Sequence, residues 1–307
     1  MRILVYLQST VSVFGATEAQ VAQLAARLPG HTLARVTSKD ELVGALAEAD
    51  AVVVWSFPAK WYASAPRLKY VFTPSAGRER IQADPRGKVE LHFGQFHGTM
   101  MAESLLGMML FMNRRFGVAL ENQRAHAWEP RAYETTRRLA QQTALIVGYG
   151  AIGHRAAALL SAVGVQVHGL KRDVEHGAAG VDRLFARDEL HDALALADHV
   201  ACILPADTGT DQLLDAAAFA RMKPGAFVYN LGRGNAIDHA ALVGALGSGA
   251  LGGAFLDVWP EEPLPADSPL WGVPKLFLTP HASAIYQDYL DLYFDELAPL
   301  VERLTGR

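Results

Sequence analysis

The sequence lacks the features that would place it among disulfide-rich, membrane-spanning or polyanion-binding proteins. It contains one cysteine in 307 residues, so no disulfide can form within the chain. No window long enough to span a bilayer is free of charge, and the start, MRILVYLQ, has neither the apolar run nor the cleavage site of a signal peptide. Lys and Arg total 28 against 32 Asp and Glu, which gives no electrostatic case for nucleic acid or an anionic membrane as a partner. We therefore expect a cytoplasmic protein that acts on a small molecule.

Several catalytic motifs are missing as well. There is no C-x-x-C pair and no H-E-x-x-H motif. His191 and His199, eight residues apart in a stretch predicted to be helical, are interpreted as surface or capping residues and not as metal ligands. There is also no G-x-S-x-G turn and no G-x-x-x-x-G-K-[ST] loop. We therefore expect no metal site. Without these motifs, the sequence gives no support for hydrolase or nucleotide-triphosphatase activity.

The chain does contain short apolar runs that alternate with Ala- and Leu-rich helical stretches from end to end. This alternation is typical of parallel sheets covered by helices on both faces, so we predict an α/β fold. Apolar spacing predicts one long connecting helix over 99–123, and a final amphipathic helix over 283–304 that returns to the first domain. The predicted domains are residues 1–95 with 286–307, and residues 96–285.

The stretch IVGYGAIG has the spacing of a dinucleotide-binding turn. A Val- and Ile-rich strand precedes it, an Ala-rich helix follows, and VQVHGL supplies the next strand, so the βαβ unit is complete. In such a unit the first glycine permits the tight turn, the second lets the backbone approach a pyrophosphate, and the third allows close packing of helix on strand. The N-terminus of the helix faces the phosphates. The residues predicted to bind the cofactor here are Gly148, Gly150, Ala151, Ile152 and Gly153.

The second strand of this unit ends in Lys171 and Arg172, where a carboxylate that binds the ribose of NAD is usual. Two cations at this position attract the 2′-phosphate of NADP, whereas a carboxylate repels it. The pair therefore favours NADP(H) over NAD(H). The alternative is that both are solvated loop charges and that Asp173 binds the ribose of NAD.

Three further stretches follow in order: NLGRGNAID, LDVWPEEPLP and LTPHAS. Together with the glycine turn, this order resembles the D-2-hydroxyacid dehydrogenase family, and the resemblance covers residues 143–283. The first domain is similar through LKYVFTPSAGRERI and TMMAESLLGMML. The resemblance implies two Rossmann-like parallel-sheet domains, a flavodoxin-like substrate domain and a dinucleotide-binding domain.

The resemblance implies that Arg233, Glu262 and His281 are the catalytic residues, and their chemistry fits these roles. A guanidinium offers a planar fork to a substrate carboxylate and polarises the neighbouring 2-oxo group, so Arg233 is also a predicted substrate ligand. An imidazole exchanges protons near neutral pH, so His281 can give a proton to the substrate oxygen and take it back. A carboxylate such as Glu262 stabilises the protonated ring and fixes its tautomer.

Other roles come from the resemblance alone. It implies that the backbone of Ala76 and Gly77 binds the substrate carboxylate, that Pro205 lies over the nicotinamide ribose, that Asp257 contacts the carboxamide, and that Met101 faces the nicotinamide. For Ala76, Gly77 and Met101 the alternatives are turn geometry and core packing.

The sequence departs from the family at three positions. Lys171 replaces the usual Asp, Asp207 stands where Thr is common, and Trp259 stands where Phe is frequent. Lys171 weakens the expectation that NAD is the cofactor. Asp207 predicts altered hydrogen bonding in its loop, and Trp259 keeps an apolar side chain at its position.

These observations predict an NADPH-dependent reductase of a short 2-oxo acid, glyoxylate or hydroxypyruvate, that forms the 2-hydroxy acid and acts as a homodimer. A phosphoglycerate dehydrogenase is the enzymatic alternative. Against it, we expect no room after the dehydrogenase module for the regulatory domain that many such enzymes carry, although some lack one. A dinucleotide-sensing binding protein is the non-catalytic alternative, against which Arg233, Glu262 and His281 together indicate chemistry.

Overall fold

The computed structural model describes residues 1–174 and 180–306. The strands of these residues, in chain order, are β1 (Arg2–Tyr6), β2 (Thr32–Arg35), β3 (Ala51–Val54), β4 (Tyr70–Thr73), β5 (Glu90–Phe93), β6 (Thr143–Val147), β7 (Gln166–Lys171), β8 (Arg183–Ala186), β9 (His199–Cys202), β10 (Ala226–Asn230), β11 (Leu251–Leu256) and β12 (Leu276–Leu278). The α-helices are α1 (Glu18–Arg27), α2 (Lys39–Ala45), α3 (Gly98–Asn113), α4 (Phe116–Arg124), α5 (Ala151–Ala162), α6 (Leu190–Leu196), α7 (Ala216–Arg221), α8 (His239–Gly247) and α9 (Tyr289–Leu304).

The first compact unit comprises residues 1–97 and 285–307. Its sheet has five parallel strands in the order β2-β1-β3-β4-β5, which is the flavodoxin-like order. Strand β3 is buried at every residue, as the apolar run AVVV predicts for a strand covered on both faces. Helix α1 begins with a capping box, because the Thr17 hydroxyl accepts from the Gln20 N–H and the Gln20 side chain accepts from the Thr17 N–H. Helix α9 lies in this unit, and its Asp291 and Asp295 accept hydrogen bonds from α1.

The second compact unit comprises residues 98–284. Its sheet has seven parallel strands in the order β12-β11-β10-β9-β6-β7-β8. The chain leaves the central strand β6 toward β7 and β8 on one side, and then crosses to β9 on the other. Such a reversal of direction leaves a crevice at the carboxyl ends of the two central strands, where ligands bind in sheets of this type. The prediction of an α/β fold with two parallel-sheet domains is confirmed.

The single helix predicted over 99–123 is wrong in one respect. The structure has two helices, α3 and α4, separated at Arg115, whose φ of 55° lies in the left-handed region. Close packing accompanies the break, because a Cβ placed on Gly117 would lie 2.4 Å from the Phe277 ring. Apolar spacing predicts helical structure here but carries no information about this contact with a distant strand.

The interpretation of His199 as a surface or capping residue is also wrong. His199 lies in strand β9, is fully buried, and has hydrogen-bond partners on both ring nitrogens, Gln142 and Tyr229. His191, on α6, is exposed as expected. Among residues 1–174 and 180–306, no group of three or more His, Cys, Asp or Glu side chains is placed to hold a metal ion, and no helix is long and apolar enough to cross a membrane.

Candidate active site

The glycine turn between β6 and α5 has the close contacts that its sequence predicts. Gly148 has a φ of 98°, and a Cβ at this position would lie 2.6 Å from the carbonyl oxygen of Ile203. A Cβ on Gly153 would lie 3.0 Å from the carbonyl oxygen of Gly148, so the first turn of α5 packs directly on the loop. Nothing lies within 4 Å of a Cβ built on Gly150, which leaves open space over the backbone at the helix N-terminus. A phosphate fits there, since the N–H groups of Ala151 and Ile152 begin the helix.

A pocket of about 260 Å³ lies beside this turn, at the carboxyl ends of β6, β7 and β9. Five predicted cofactor residues line it: Gly148, Gly150, Lys171, Arg172 and Pro205. Apolar side chains such as Leu170, Ile203 and Leu213 form much of the remaining wall. An apolar slot with a glycine turn at one end and cations at its rim suits an adenine nucleotide.

The pocket also contains a cation that the sequence analysis missed, Arg187. Lys171 pairs in register with Ala186 across β7 and β8, so Arg187 follows directly beyond that pair. Arg187 donates a hydrogen bond to the carbonyl oxygen of Gly209, in the loop that follows β9. The sequence does contain a signal for Arg187, because it stands at the end of the strand that follows Lys171 and Arg172 along the chain. If the two strands are neighbours in a parallel sheet, their ends lie side by side.

The loop after β9 is held by hydrogen bonds of Asp207 and Thr210. Oδ1 of Asp207 accepts from the Gly209 N–H at 2.7 Å, and Oδ2 accepts from Nη2 of Arg172 at 3.0 Å. The Thr210 hydroxyl lies 2.8 Å from the carbonyl oxygens of Pro205 and Asp207. The loop is thus folded on itself, and its carboxylate faces the basic rim of the pocket.

The three predicted catalytic residues follow three neighbouring strands, β10, β11 and β12. Arg233 comes directly after β10, in a loop held by Asn230, whose side chain donates to the Arg233 carbonyl and accepts from the Gly232 N–H. A Cβ on Gly234 would lie 2.0 Å from the backbone of Trp259, so this loop packs against the loop after β11. Only glycine permits this approach, which places the Arg233 loop beside the segment that carries Glu262.

Glu262 and His281 form a hydrogen-bonded pair, with Oε2 of Glu262 2.8 Å from Nδ1 of His281. The other oxygen of Glu262 accepts from the Trp259 N–H at 3.0 Å, which fixes the carboxylate. The His281 side chain is 44% exposed, and among the described residues no group forms a hydrogen bond with its Nε2. The arrangement leaves one ring nitrogen available to exchange a proton while a carboxylate holds the other.

Asp257 holds the segment that carries His281. Its carboxylate is fully buried and accepts three hydrogen bonds, from the Thr279 hydroxyl at 2.6 Å and from the N–H groups of Ala282 and Ser283 at 2.7 and 2.9 Å. The His281 N–H donates to the Asp257 carbonyl at 2.8 Å. His281 has a φ of 54°, a left-handed conformation unfavourable for a side chain with a Cβ, so these bonds hold a strained residue in place.

Trp259 adds a further tie between the two loops. Its ring is buried, as the apolar role predicts, and its indole N–H donates to the carbonyl oxygen of Thr279 at 3.1 Å. A Phe at this position cannot form that bond. The tryptophan therefore links the Glu262 loop to the His281 loop through a side chain as well as through the Glu262–His281 pair.

Three predicted residues lie away from these loops. Met101 is on α3 and is 8% exposed, packed in the core of the second unit. Ala76 and Gly77 belong to the first unit, in the turn after β4, where Ala76 is exposed and the Gly77 N–H donates to the Ser75 hydroxyl at 3.1 Å. Contacts of these three residues with cofactor or substrate stay predictions.

The fold and the site define a class: a two-domain α/β protein with a dinucleotide-type pocket next to an Arg, a Glu and a His at neighbouring strand ends. The sequence profile of the "D-isomer specific 2-hydroxyacid dehydrogenase, NAD binding domain" matches residues 106–283. The chain belongs to the D-2-hydroxyacid dehydrogenase family, whose members are NAD(P)-dependent and act on small 2-hydroxy acids. The predicted resemblance is confirmed.

Individual relatives differ in activity. The chain is 32% identical to the D-3-phosphoglycerate dehydrogenase of Mycobacterium tuberculosis. The match covers 80% of this chain but only 47% of the mycobacterial protein. The chain is 33% identical to glyoxylate/hydroxypyruvate reductase A of Salmonella dublin, with 77% of each chain covered. Among solved structures, a D-isomer specific 2-hydroxyacid dehydrogenase from Xanthobacter autotrophicus in complex with NADPH and MES is similar with a TM-score of 0.84 and 28% identity, covering 99% of this chain and 94% of that one.

Proposed function

We propose that the protein reduces a short 2-oxo acid, glyoxylate or hydroxypyruvate, to the corresponding 2-hydroxy acid, the D form where the product is chiral, with NADP(H) favoured over NAD(H). The observation that carries the reaction class is the 2.8 Å pair between Glu262 and His281, with Nε2 of the imidazole left available at the surface of the site. A pair of this kind suits proton transfer to an oxygen.

Each of the three side chains has a defined role in this reaction. The guanidinium of Arg233 binds the substrate carboxylate and polarises the adjacent carbonyl. Glu262 stabilises the cationic imidazole of His281 until Nε2 gives its proton to the carbonyl oxygen, and the neutral ring then takes another proton from water. The reduced nicotinamide, when bound, supplies the hydride.

The cofactor preference is proposed from the rim of the pocket. Lys171, Arg172 and Arg187 all line this pocket, and three cations there favour a cofactor with a 2′-phosphate. The relative from Xanthobacter autotrophicus was crystallised with NADPH, which supports the same assignment. We assign dinucleotide binding to residues 98–284, including Pro205 and Met101 on the nicotinamide side, and a substrate-binding role to the other unit. The buried carboxylate of Asp257 acts by holding the segment that carries His281.

The cofactor assignment is tested by exchanging Lys171 for Asp and Arg172 for Ser. The ratio of kcat/KM with NADPH to that with NADH should fall by at least about tenfold, since a carboxylate then faces the 2′-phosphate. An unchanged ratio would show that the 2′-phosphate is recognised elsewhere or not at all, and would leave Asp173 as the ribose ligand.

The substrate class is tested by steady-state oxidation of NADPH and NADH with glyoxylate, hydroxypyruvate and pyruvate, and by the reverse assay with D-3-phosphoglycerate. Turnover of glyoxylate or hydroxypyruvate agrees with the similarity to the Salmonella reductase. Preference for D-3-phosphoglycerate would favour the phosphoglycerate dehydrogenase alternative, and cofactor binding without turnover of any acid would favour the sensor.

The role of Arg233 is tested by Arg233→Gln, with Arg221→Gln as the matched control because Arg221 is an exposed residue of the same unit. Turnover should fall at least about 100-fold in the first variant, since charge stabilisation in the transition state is removed. The dissociation constant for NADPH should change little. Equal loss of turnover and cofactor binding would show that the assigned role is wrong.

We also propose that the protein is a homodimer that forms through α3, α4 and the segment after them. The large apolar side chains Leu110, Phe116, Leu120 and Trp128 are 38, 48, 45 and 93% exposed. Large apolar side chains exposed along one segment of the chain suit a contact surface. Sedimentation equilibrium of the protein and of a Phe116→Glu variant tests this, since the variant should be monomeric.

The reducing cytoplasm is the proposed location of the protein, where the buried thiol of Cys202 persists unoxidised.

A further inference from the structure

The rim of the cofactor pocket contains one carboxylate among its cations. Asp207 lies in the loop after β9, and its Oδ2 is 3.0 Å from Nη2 of Arg172, a residue that lines the pocket. A Cβ built on Gly209 would lie 2.9 Å from Oδ1 of Asp207 and 3.1 Å from Nη1 of Arg187. The carboxylate therefore lies close to both of these cations.

The position of this carboxylate is set by its own loop. Oδ1 of Asp207 accepts from the Gly209 N–H at 2.7 Å, and the Asp207 N–H donates to the Thr210 hydroxyl at 3.2 Å. Arg187 donates to the carbonyl oxygen of the same Gly209. The loop thus holds both a negative group and a positive group at the pocket rim, with the negative group bonded to Arg172.

The Arg172–Asp207 pair contributes little to folding. The two side chains are 74 and 41% exposed, and an ion pair in such contact with water has a small net effect on stability. Its effect is larger when a third charged group arrives. A phosphate that binds to Arg172 must displace Asp207, and then remains beside it as a like charge.

We propose that Asp207 is a specificity-determining residue that competes with the cofactor 2′-phosphate for Arg172. With a dinucleotide that has a free 2′-hydroxyl, Arg172 stays bonded to Asp207. With a 2′-phosphate, the phosphate takes Arg172 and is repelled by Asp207. The residue therefore limits the discrimination that Lys171, Arg172 and Arg187 would otherwise produce, and it allows NADH to be used. This inference rests on the proposed binding of an NADP-type cofactor in this pocket.

The test uses 2′,5′-ADP and 5′-AMP, two fragments that differ only in the 2′-phosphate, with dissociation constants measured by isothermal titration calorimetry. Asp207→Asn removes the charge and keeps an Oδ1 that can accept from the Gly209 N–H. Asp207→Ser provides a second variant with a shorter acceptor. Asp192→Asn is the control, since it removes one negative charge from an exposed position on α6 that does not line the pocket.

Asp207→Asn should tighten 2′,5′-ADP about three- to tenfold and change the affinity for 5′-AMP less than about twofold, as expected for removal of one exposed like charge next to a phosphate. Asp207→Ser should do the same, and Asp192→Asn should leave the ratio of the two constants unchanged. In an Arg172→Gln background the gain from Asp207→Asn should shrink, because the competition for Arg172 no longer exists.

Two results would overturn the proposal: an unchanged or weaker affinity for 2′,5′-ADP in both Asp207 variants, or equal tightening of both fragments. Failure of the NADP assignment is a separate result. In that case the unmodified protein would bind 2′,5′-ADP no more tightly than 5′-AMP. The change in the ratio of the two dissociation constants on Asp207→Asn would still decide the role of Asp207.

Discussion

A buried histidine makes the stability of the second unit depend on pH. Burial lowers the pKa of His199 from 6.5 to about 4; the Asp198 carboxylate opposes this shift, while Arg137 and Lys223 add to it. Nε2 of the ring bonds to the side-chain oxygen of Gln142, and Nδ1 lies 3.0 Å from the Tyr229 hydroxyl. The neutral ring satisfies both partners, so the fold selects the uncharged form.

The sign and size of the change in unfolding free energy with pH follow from proton linkage. Since the folded-state pKa is below the unfolded value, the contribution of His199 is fully present above pH 6.5 and is lost as the pH falls towards about 4. At about pH 5 nearly every unfolded chain carries the proton and few folded chains do, which costs about 2 kcal/mol of unfolding free energy. The loss is about 3 kcal/mol at about pH 4, where protonation of paired carboxylates adds its own effect.

The assay is urea-induced unfolding of the intact protein at about pH 7.5 and about pH 5, compared with His199→Gln. Glutamine can bond to both partners but does not titrate, so the variant should lose about 2 kcal/mol less than the unmodified protein over this pH range. His168 and His239, whose pKa values are also lowered by burial, are present in both proteins and cancel in the comparison. The same pH dependence in both proteins would refute the reasoning.

Three further changes test the loops of the site. Gly148→Ala forces a Cβ to within 2.6 Å of a carbonyl oxygen at a φ of 98°, and should weaken NADPH binding at least about tenfold and cost about 2 kcal/mol or more of stability, whereas Gly247→Ala, with nothing within 4 Å, should be harmless. Asp257→Asn places an amide donor against backbone N–H groups, and should lower stability by about 2 kcal/mol and reduce kcat together; a fully active variant in thermal and kinetic assays would contradict the anchoring role. Glu262→Gln should reduce kcat about 10- to 100-fold with unchanged affinity for NADPH in fluorescence titration, and an equal loss of cofactor binding would count against a role in proton transfer.

Features with a local cause were predictable from the sequence. The glycine turn is read from spacing because its three glycines serve contacts within a single βαβ unit. The alternation of apolar runs with helical stretches predicted two parallel sheets, since strands covered on both faces must be apolar throughout. Arg233, Glu262 and His281 were predicted as catalytic residues because each stands in a short motif that resembles the family, and the parallel order of strands brings their loops to one edge of a sheet.

Features that depend on distant contacts were decided by the tertiary structure. Nothing near Arg115 in the sequence announces the break between α3 and α4, where Gly117 packs on the Phe277 ring. Arg187 joins the basic rim only because β8 pairs with β7.

Asp207 and His199 show that the sequence also leaves the surroundings of an ionisable side chain undetermined. The sequence flagged Asp207 as unusual but could not show that its carboxylate bonds to Arg172, 35 residues away. Nor could it show that His199 is fully buried, which lowers the pKa of its imidazole, while the side chain of His281 is partly exposed. The residue types and their order along the chain come from the sequence alone, but the state of each ionisable group depends on its distance from other charges and from water, and only the folded chain sets those distances.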